Sequence, residues 1–464
     1  MTAPMNRRRF LGTALACGAG ASLPLSLGAM PALAQPGGGY RALVCVFLYG
    51  GMDSFDGLIP YDRPSYDAWR AIRQPLLDRY AEAGVQATRR RGALSRLFPT
   101  HGTGGRDHAL APQLSPLADL FNAGRLAVVA NVGPLEQPTT KAMVDAGTAA
   151  LPPRLLSHND QQSLWQTSAP EGARSGWGGR AADALKDLSG KTGSPYWTIS
   201  TQSSPSFLAG RDSRPPEVGS LTLPETRGTR EEEFGSRAVG ALLRKHLSRP
   251  DDARNLLHRD YAGVQGPSIE IAGELSGLLG STTQGEVVAQ AGGSLATQLA
   301  TVAKLISLRG QLGASQQVFL CGLGGFDTHK NQAETLPGLQ EDIAGAMRAF
   351  YDWTVSAGLS QQVTTFTASD FGRTLSPNFD GTDHGWGGHH FVMGGAVRGG
   401  RIVGAVPEAA LGHGQDFDRG RLIPTISLEQ YGAPLAAWLG VPAGEMSAVF
   451  PNAGRFDQGA VDLF

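Results

Sequence analysis

Short apolar runs, each ending in glycine and then in acids or histidines, set the rhythm of this chain. Ala42–Tyr49 is apolar almost throughout, as a strand covered on both faces must be, and Gly50-Gly51 then leads to Asp53 and Asp56. Arg125–Val132 predicts a second strand. Gln316–Cys321 predicts a third, followed by Gly324-Gly325 and then Asp327 and His329. Val363–Thr367 predicts a fourth, ending in Asp370 before a glycine-rich stretch that carries Asp383, His384, His389 and His390. Between these runs apolar residues recur at helical spacing, which predicts helices at Leu114–Asn122, Leu295–Ser307, Leu339–Val355 and Leu428–Leu439. Tyr61–Arg73 reads as a turn into a short helix, Ala238–His246 as a further helical stretch, and Ser157–Trp165 as a helix opened by an N-cap. Strands alternating with helices imply an α/β fold with a parallel-rich central sheet covered by helices. In such sheets ligands bind beyond the C-terminal ends of the strands, where this chain concentrates its acids and histidines.

The span from about 190 to 266 changes character, with Arg-Pro-Pro and a charged TRGTREEEF run, and reads as an inserted cap subdomain. The N-terminus reads as an address. Arg7-Arg8-Arg9-Phe10-Leu11, an Ala/Gly/Leu stretch and Ala32-Leu33-Ala34 stand in the order of a twin-arginine export signal cut after Ala34. Lipidation at Cys17 is the alternative, but Ala14 stands where a lipobox prefers leucine. Residues 1–34 are therefore expected to be removed, and the remainder, from about residue 40 to 464, to form one periplasmic domain. The formal net charge of −1 gives no basic field for nucleic acid, and no other apolar run approaches a membrane span. Cys45 and Cys321 lie inside strand-like runs and read as small buried hydrophobes; a disulfide between neighbouring strands is the alternative. Glycine reaches 63 of 464 residues, concentrated beside the acids and histidines, which points to tight turns rather than to disorder.

Carboxylates and imidazoles converging on one sheet edge suit a hard or borderline divalent metal: Zn, Mn, Mg or Ca. Asp370 directly follows a buried strand, so its charge needs a partner, either Arg373 or a cation. Asp53 and Asp56 compete for one role, as do His389 and His390. Ser157 opens a helix and is either its cap, with Asp160 three residues on, or a nucleophile held at the helix N-terminus; Ser54 is the second candidate nucleophile. His158 and His108 read as hydrogen-bonded loop histidines.

Several of these segments are long enough to carry a resemblance. GGMDSFDGLIPY, RLLSHNDQQSLWQT, SGWGGR, GGFDTHKNQ, SDFGRT and GTDHGWGGHHFVMGGAVRGGRIVG resemble the exported bacterial proteins of "domain of unknown function 1501". That family is placed by fold similarity in the alkaline phosphatase and sulfatase superfamily, whose enzymes move a phosphoryl or sulfuryl group to a nucleophile and then to water. The resemblance implies metal ligation by Asp53, Asp327, His329, Asp370 and His384, with Ser157 as nucleophile and Arg373 as anion clamp. Asp327 and His329 stand closer together than the superfamily's Asp-x-x-x-His pair. Phe371 stands where its Asp-His pair has histidine, so one metal position is implied rather than two. No Cys-x-Pro-x-Arg occurs, which excludes a formylglycine sulfatase of the usual kind. The expected function is a metal-dependent hydrolase-like protein acting on a small or polymeric phosphate or sulfate ester. The alternative is a non-catalytic, metal-binding accessory or assembly protein, whose natural partner is an exported protein of the family numbered 1800.

Overall fold

A computed structural model describes residues 39–84, 89–101, 106–189, 195–202, 206–211, 215–218, 232, 234–249 and 255–464. The predicted export signal, residues 1–34, lies outside the described residues, as do parts of the 190–266 span. The first strands are β1 (Arg41–Leu48), then β2 (Leu58–Pro60), β3 (Ser95–Arg96) and β4 (His108–Leu110), which form a small separate sheet, and β5 (Leu126–Gly133). β6 (Thr198–Ser200), β7 (Gln316–Leu323) and β8 (Val363–Ser369) follow, then the hairpin of β9 (Arg373–Pro377) and β10 (Thr382–His384). β11 (Gly388–Gly394), β12 (Arg401–Val403) and β13 (Ile426–Ser427) complete the series.

The central sheet runs in the order β12-β5-β11-β8-β1-β7-β6, with β13 also on β5. β11 is antiparallel to both its neighbours, and the other pairings are parallel. The fold is thus a mixed α/β structure with a large, mostly parallel sheet. β1 shows why its run is apolar on both faces. Ala42, Val44, Val46 and Leu48 pack on the side that holds helices Gly293–Ser307 and Gln332–Ser356, while Leu43, Cys45 and Phe47 pack on the side of Trp177–Ser189 and Leu428–Leu439. Alternation of side chains along a strand produces this division. Cys45 and Cys321 are buried free thiols.

Two helices exceed their predicted lengths. Arg63–Glu82 continues through Pro75 because Leu76, Leu77 and Tyr80 bury on its inner face, and Gln332–Ser356 starts seven residues before Leu339. Tertiary burial outweighs local helix propensity in both. Within the 190–266 span, Thr198–Ser200 is an edge strand of the central sheet, and helix Arg237–Ser248 packs on helix Leu256–Gly280. Among the described residues no helix is long and apolar enough to cross a membrane.

His389 and His390 lie in β11 and point into the interior. His389 Nδ1 accepts from the Asn131 amide (3.0 Å), and the His390 ring packs against those of Trp165 and Tyr431. Neither ring contacts Asp327, His329, Asp370 or His384, which corrects the expectation that one of them would join those residues. Burial pushes both imidazoles down to about 3. A depressed histidine stabilises the fold fully above its unfolded value near 6.5 and loses that contribution as pH falls toward the folded value. His390→Phe should therefore flatten the fall of stability between those two values by on the order of 1 kcal/mol or more. Urea midpoints measured across that range check this, and identical pH slopes for the two proteins would refute it.

Candidate functional site

β7, β1 and β8 are adjacent and parallel, so the loops after them meet at one edge of the sheet. They approach closely only because Gly50 lacks a side chain. Its φ is +115°, and a Cβ there would lie 2.3 Å from the Asp327 amide nitrogen. Gly381 serves the β9–β10 hairpin in the same way, since a Cβ would stand 2.1 Å from the Thr328 carbonyl oxygen.

Arg373 ties these loops together. Its buried guanidinium donates from Nη1 to the Gly50 carbonyl (2.9 Å) and to Asp327 Oδ1 (3.0 Å), from Nε to Thr382 Oγ1 (2.9 Å), and from Nη2 to the Thr382 carbonyl. A guanidinium so committed is not presented to a substrate, so the anion-clamp role implied by the resemblance gives way to a structural one. Its ion pair is with Asp327, not with Asp370.

Asp327 is the focus of the site. Burial raises its pKa, but the hydrogen bond and charge of Arg373 outweigh this and hold the carboxyl below its ordinary value. Three imidazoles turn Nε2 toward this carboxylate: His384 at 3.1 Å, His329 at 3.2 Å and His158 at 3.5 Å. Each has its other ring nitrogen engaged. His158 Nδ1 meets Asp370 Oδ2 at 2.6 Å, His384 Nδ1 meets the Leu156 carbonyl at 2.9 Å, and His329 Nδ1 stands 3.4 Å from Asp383 Oδ1. The carbonyl can only accept, so His384 carries its proton on Nδ1 and presents a lone pair at Nε2. Burial lowers the His384 pKa and favours this neutral form, whereas the Asp370 hydrogen bond raises that of His158. An imidazole backed by a carboxylate gains affinity for any positive charge at its far nitrogen, proton or metal.

The residues fit a metal ion on this structure's own evidence. Ligand atoms of His158, Asp327 and His384 lie within 4.8 Å of one another. His158 Nε2 is buried without a hydrogen-bond partner, and His329 Nε2 is 2.8 Å from His384 Nε2. Asp327, His329 and His384 thus come together as the sequence implied, and His158 joins them.

Asp370 takes a different place. It is fully buried, and its Oδ2 accepts from His158 and from Gln162 Nε2 (2.9 Å). Its Oδ1 is buried with no hydrogen-bond partner among the described residues, so one oxygen backs His158 while the other stays uncommitted. The i, i+4 spacing of His158 and Gln162 puts both side chains on one helix face, over the same carboxylate. Asp53 stands apart from the cluster. Arg73 engages both its oxygens (2.6 and 2.9 Å), Gln332 donates to it (2.7 Å), and it caps the short helix Ser54–Gly57. Asp56 is bound likewise by Arg89 and Tyr80. Ser157 occupies the N-cap position of helix His158–Thr167, yet its hydroxyl donates to Asp160 (2.8 Å) and caps no backbone amide. Ser54 Oγ is buried and accepts from the His389 amide (2.8 Å). Neither hydroxyl is hydrogen-bonded to His158, Asp327, His329 or His384.

Two substitutions separate these roles. Asp53→Asn should cost about 3–5 kcal/mol by leaving Arg73 buried and unpaired, with metal stoichiometry unchanged; denaturant unfolding beside elemental analysis reads both, and loss of metal would return Asp53 to the ligands. Asp370→Asn should weaken metal binding by roughly 10–100-fold without abolishing it; complete loss in competition with a chelator would make Asp370 a direct ligand.

The comparison with curated proteins gives no match. The model of the family described as "Protein of unknown function (DUF1501)" matches residues 40–424, which is most of the chain, and the chain belongs to that family.

Proposed function

We propose that this chain is an exported, metal-dependent hydrolase-like protein that acts on a phosphate or sulfate ester. The reading is carried by one observation: three imidazoles with their outer nitrogens held by acceptors turn their inner nitrogens to one ionised carboxylate. His158, His329, His384 and Asp327 would hold the ion. A donor set rich in nitrogen favours zinc over magnesium or calcium. A bound divalent cation would polarise an ester oxygen and lower the pKa of water beside it. The chain's own part is to fix the geometry. Asp370 and Leu156 orient two imidazoles, Arg373 keeps Asp327 ionised and in place, and partial exposure of Asp327 (45 %) and His329 (39 %) leaves a side open to substrate. A mostly parallel sheet with its site at the C-terminal edge is in keeping with the alkaline phosphatase and sulfatase superfamily.

The engagement of both serine hydroxyls favours a second reading, a metal-binding accessory protein without turnover, partnered by an exported protein of the family numbered 1800. One set of measurements separates the two. Elemental analysis of the wild type should find one metal per chain, lost together with thermal stability in Asp327→Ala and His384→Ala. Turnover of p-nitrophenyl phosphate or sulfate that disappears with the metal supports the hydrolase. Stoichiometric metal with no turnover of either supports the accessory protein, and a wild type without metal after reconstitution would sink both.

A further inference from the structure

The formal charge of the chain is close to zero, yet its arginines are not evenly spread. Helix Arg63–Glu82 carries Arg63, Asp67, Arg70 and Gln74 at spacings of four, three and four, so they share one face. Across from that face stands the turn Arg89–Arg91. The two walls enclose a concavity of about 480 Å³, completed by Tyr66 and Leu77. Its lining holds five arginines and a single acid, Asp67. Arg89 is neutralised by buried Asp56, and Arg63, Arg70 and Arg91 still outnumber the one aspartate. Asp67 stands 3.6 Å from Arg63 with both side chains largely exposed, a pairing too weak to cancel the field.

The second wall is built rather than incidental. The buried Tyr66 hydroxyl donates to the Arg89 carbonyl (2.9 Å) and accepts from the Arg91 amide (3.0 Å), which ties the turn to the helix. Arg91 Nε donates to the Tyr61 carbonyl (2.7 Å), and its guanidinium lies over the Tyr61 ring. The backbone that presents Arg90 and Arg91 is therefore fixed before any ligand arrives, which reduces the ordering cost of binding.

Spacing defines the ligand. Arg63 and Arg70 are seven residues apart on a helix, hence about 10 Å along its axis. A single tetrahedral oxyanion would have to draw both side chains inward, away from Arg91 on the opposite wall. A short chain bearing repeated oxyanions can meet both walls, and the planar guanidinium fork matches phosphate and sulfate groups. We propose that this concavity binds a short polyanion carrying repeated phosphate or sulfate groups, independently of the metal centre.

Titration calorimetry on the whole chain at roughly 0.15 M salt tests this with tripolyphosphate, sucrose octasulfate and orthophosphate. At least one of the two polyanions should bind roughly tenfold or more tighter than orthophosphate, and whichever binds tighter identifies the phosphate or the sulfated source. Arg63→Ala combined with Arg70→Ala, both exposed positions, should weaken that binding by roughly tenfold. Arg348→Ala combined with Arg398→Ala, exposed arginines elsewhere, should leave it unchanged. No binding of either polyanion, equal affinity in the Arg63/Arg70 variant, or equal weakening in the Arg348/Arg398 variant would each overturn the proposal.

Discussion

A single buried guanidinium decides whether the edge of this sheet is a site or a set of loops. Arg373 reaches the loop after β1 through Gly50, the loop after β7 through Asp327, and strand β10 through Thr382. Three segments far apart in the chain are thereby held in one register. Burial lowers the pKa of Arg373, and the Asp327 carboxylate offsets that cost. The pair is mutually dependent, because Arg373 is shielded while Asp327 is 45 % exposed. The same contact that assembles the loops holds the Asp327 carboxyl below its ordinary pKa and leaves it facing outward toward three imidazoles.

Desolvation explains why aspartates after neighbouring strands take different work. Asp53, Asp56 and Asp370 are shut away from water, and a buried carboxylate needs partners that compensate its charge. Arg73 serves Asp53, Arg89 serves Asp56, and His158 with Gln162 serves Asp370. Asp53 and Asp56 have both oxygens engaged in this way, whereas Asp370 keeps Oδ1 buried without a partner among the described residues. Asp327 alone of the four keeps solvent contact, so its oxygens stay accessible to a further charge. Strain gathers in the same neighbourhood. Arg154 and Leu156 both adopt positive φ, at +46° and +74°, just before the helix that carries His158. The Leu156 carbonyl so placed is the acceptor that fixes the His384 ring. Backbone held in a sparsely populated region beside the histidine–aspartate cluster is the pattern expected where surrounding contacts impose geometry.

Much of the fold was legible because periodicity is a local signal. The runs at Ala42–Tyr49, Arg125–Val132, Gln316–Cys321 and Val363–Thr367 became β1, β5, β7 and β8, and Leu428–Leu439 formed a helix at those bounds. The part of the site that lies just past strand ends was legible for the same reason: Asp327 follows β7, and β7 must end there. What escaped was His158. It reads as a hydrogen-bonded loop histidine, and only the packing of its helix over the loop after β8 brings it to Asp370 and Asp327. Asp53 is the converse case. Its place after β1 resembles that of a ligand, but Arg73, on a separate helix, takes both its oxygens.

The sequence by itself determined the strands, the main helices, the mostly parallel sheet and the edge where acids and histidines gather, because side-chain alternation and turn glycines act over a few residues. Tertiary structure alone decided which carboxylates are spent on guanidinium groups, which imidazoles meet, and which arginines line one concavity. Those outcomes depend on desolvation and on contacts between segments more than 200 residues apart, such as His158 with Asp370 and His384 with Leu156, and no local pattern encodes them.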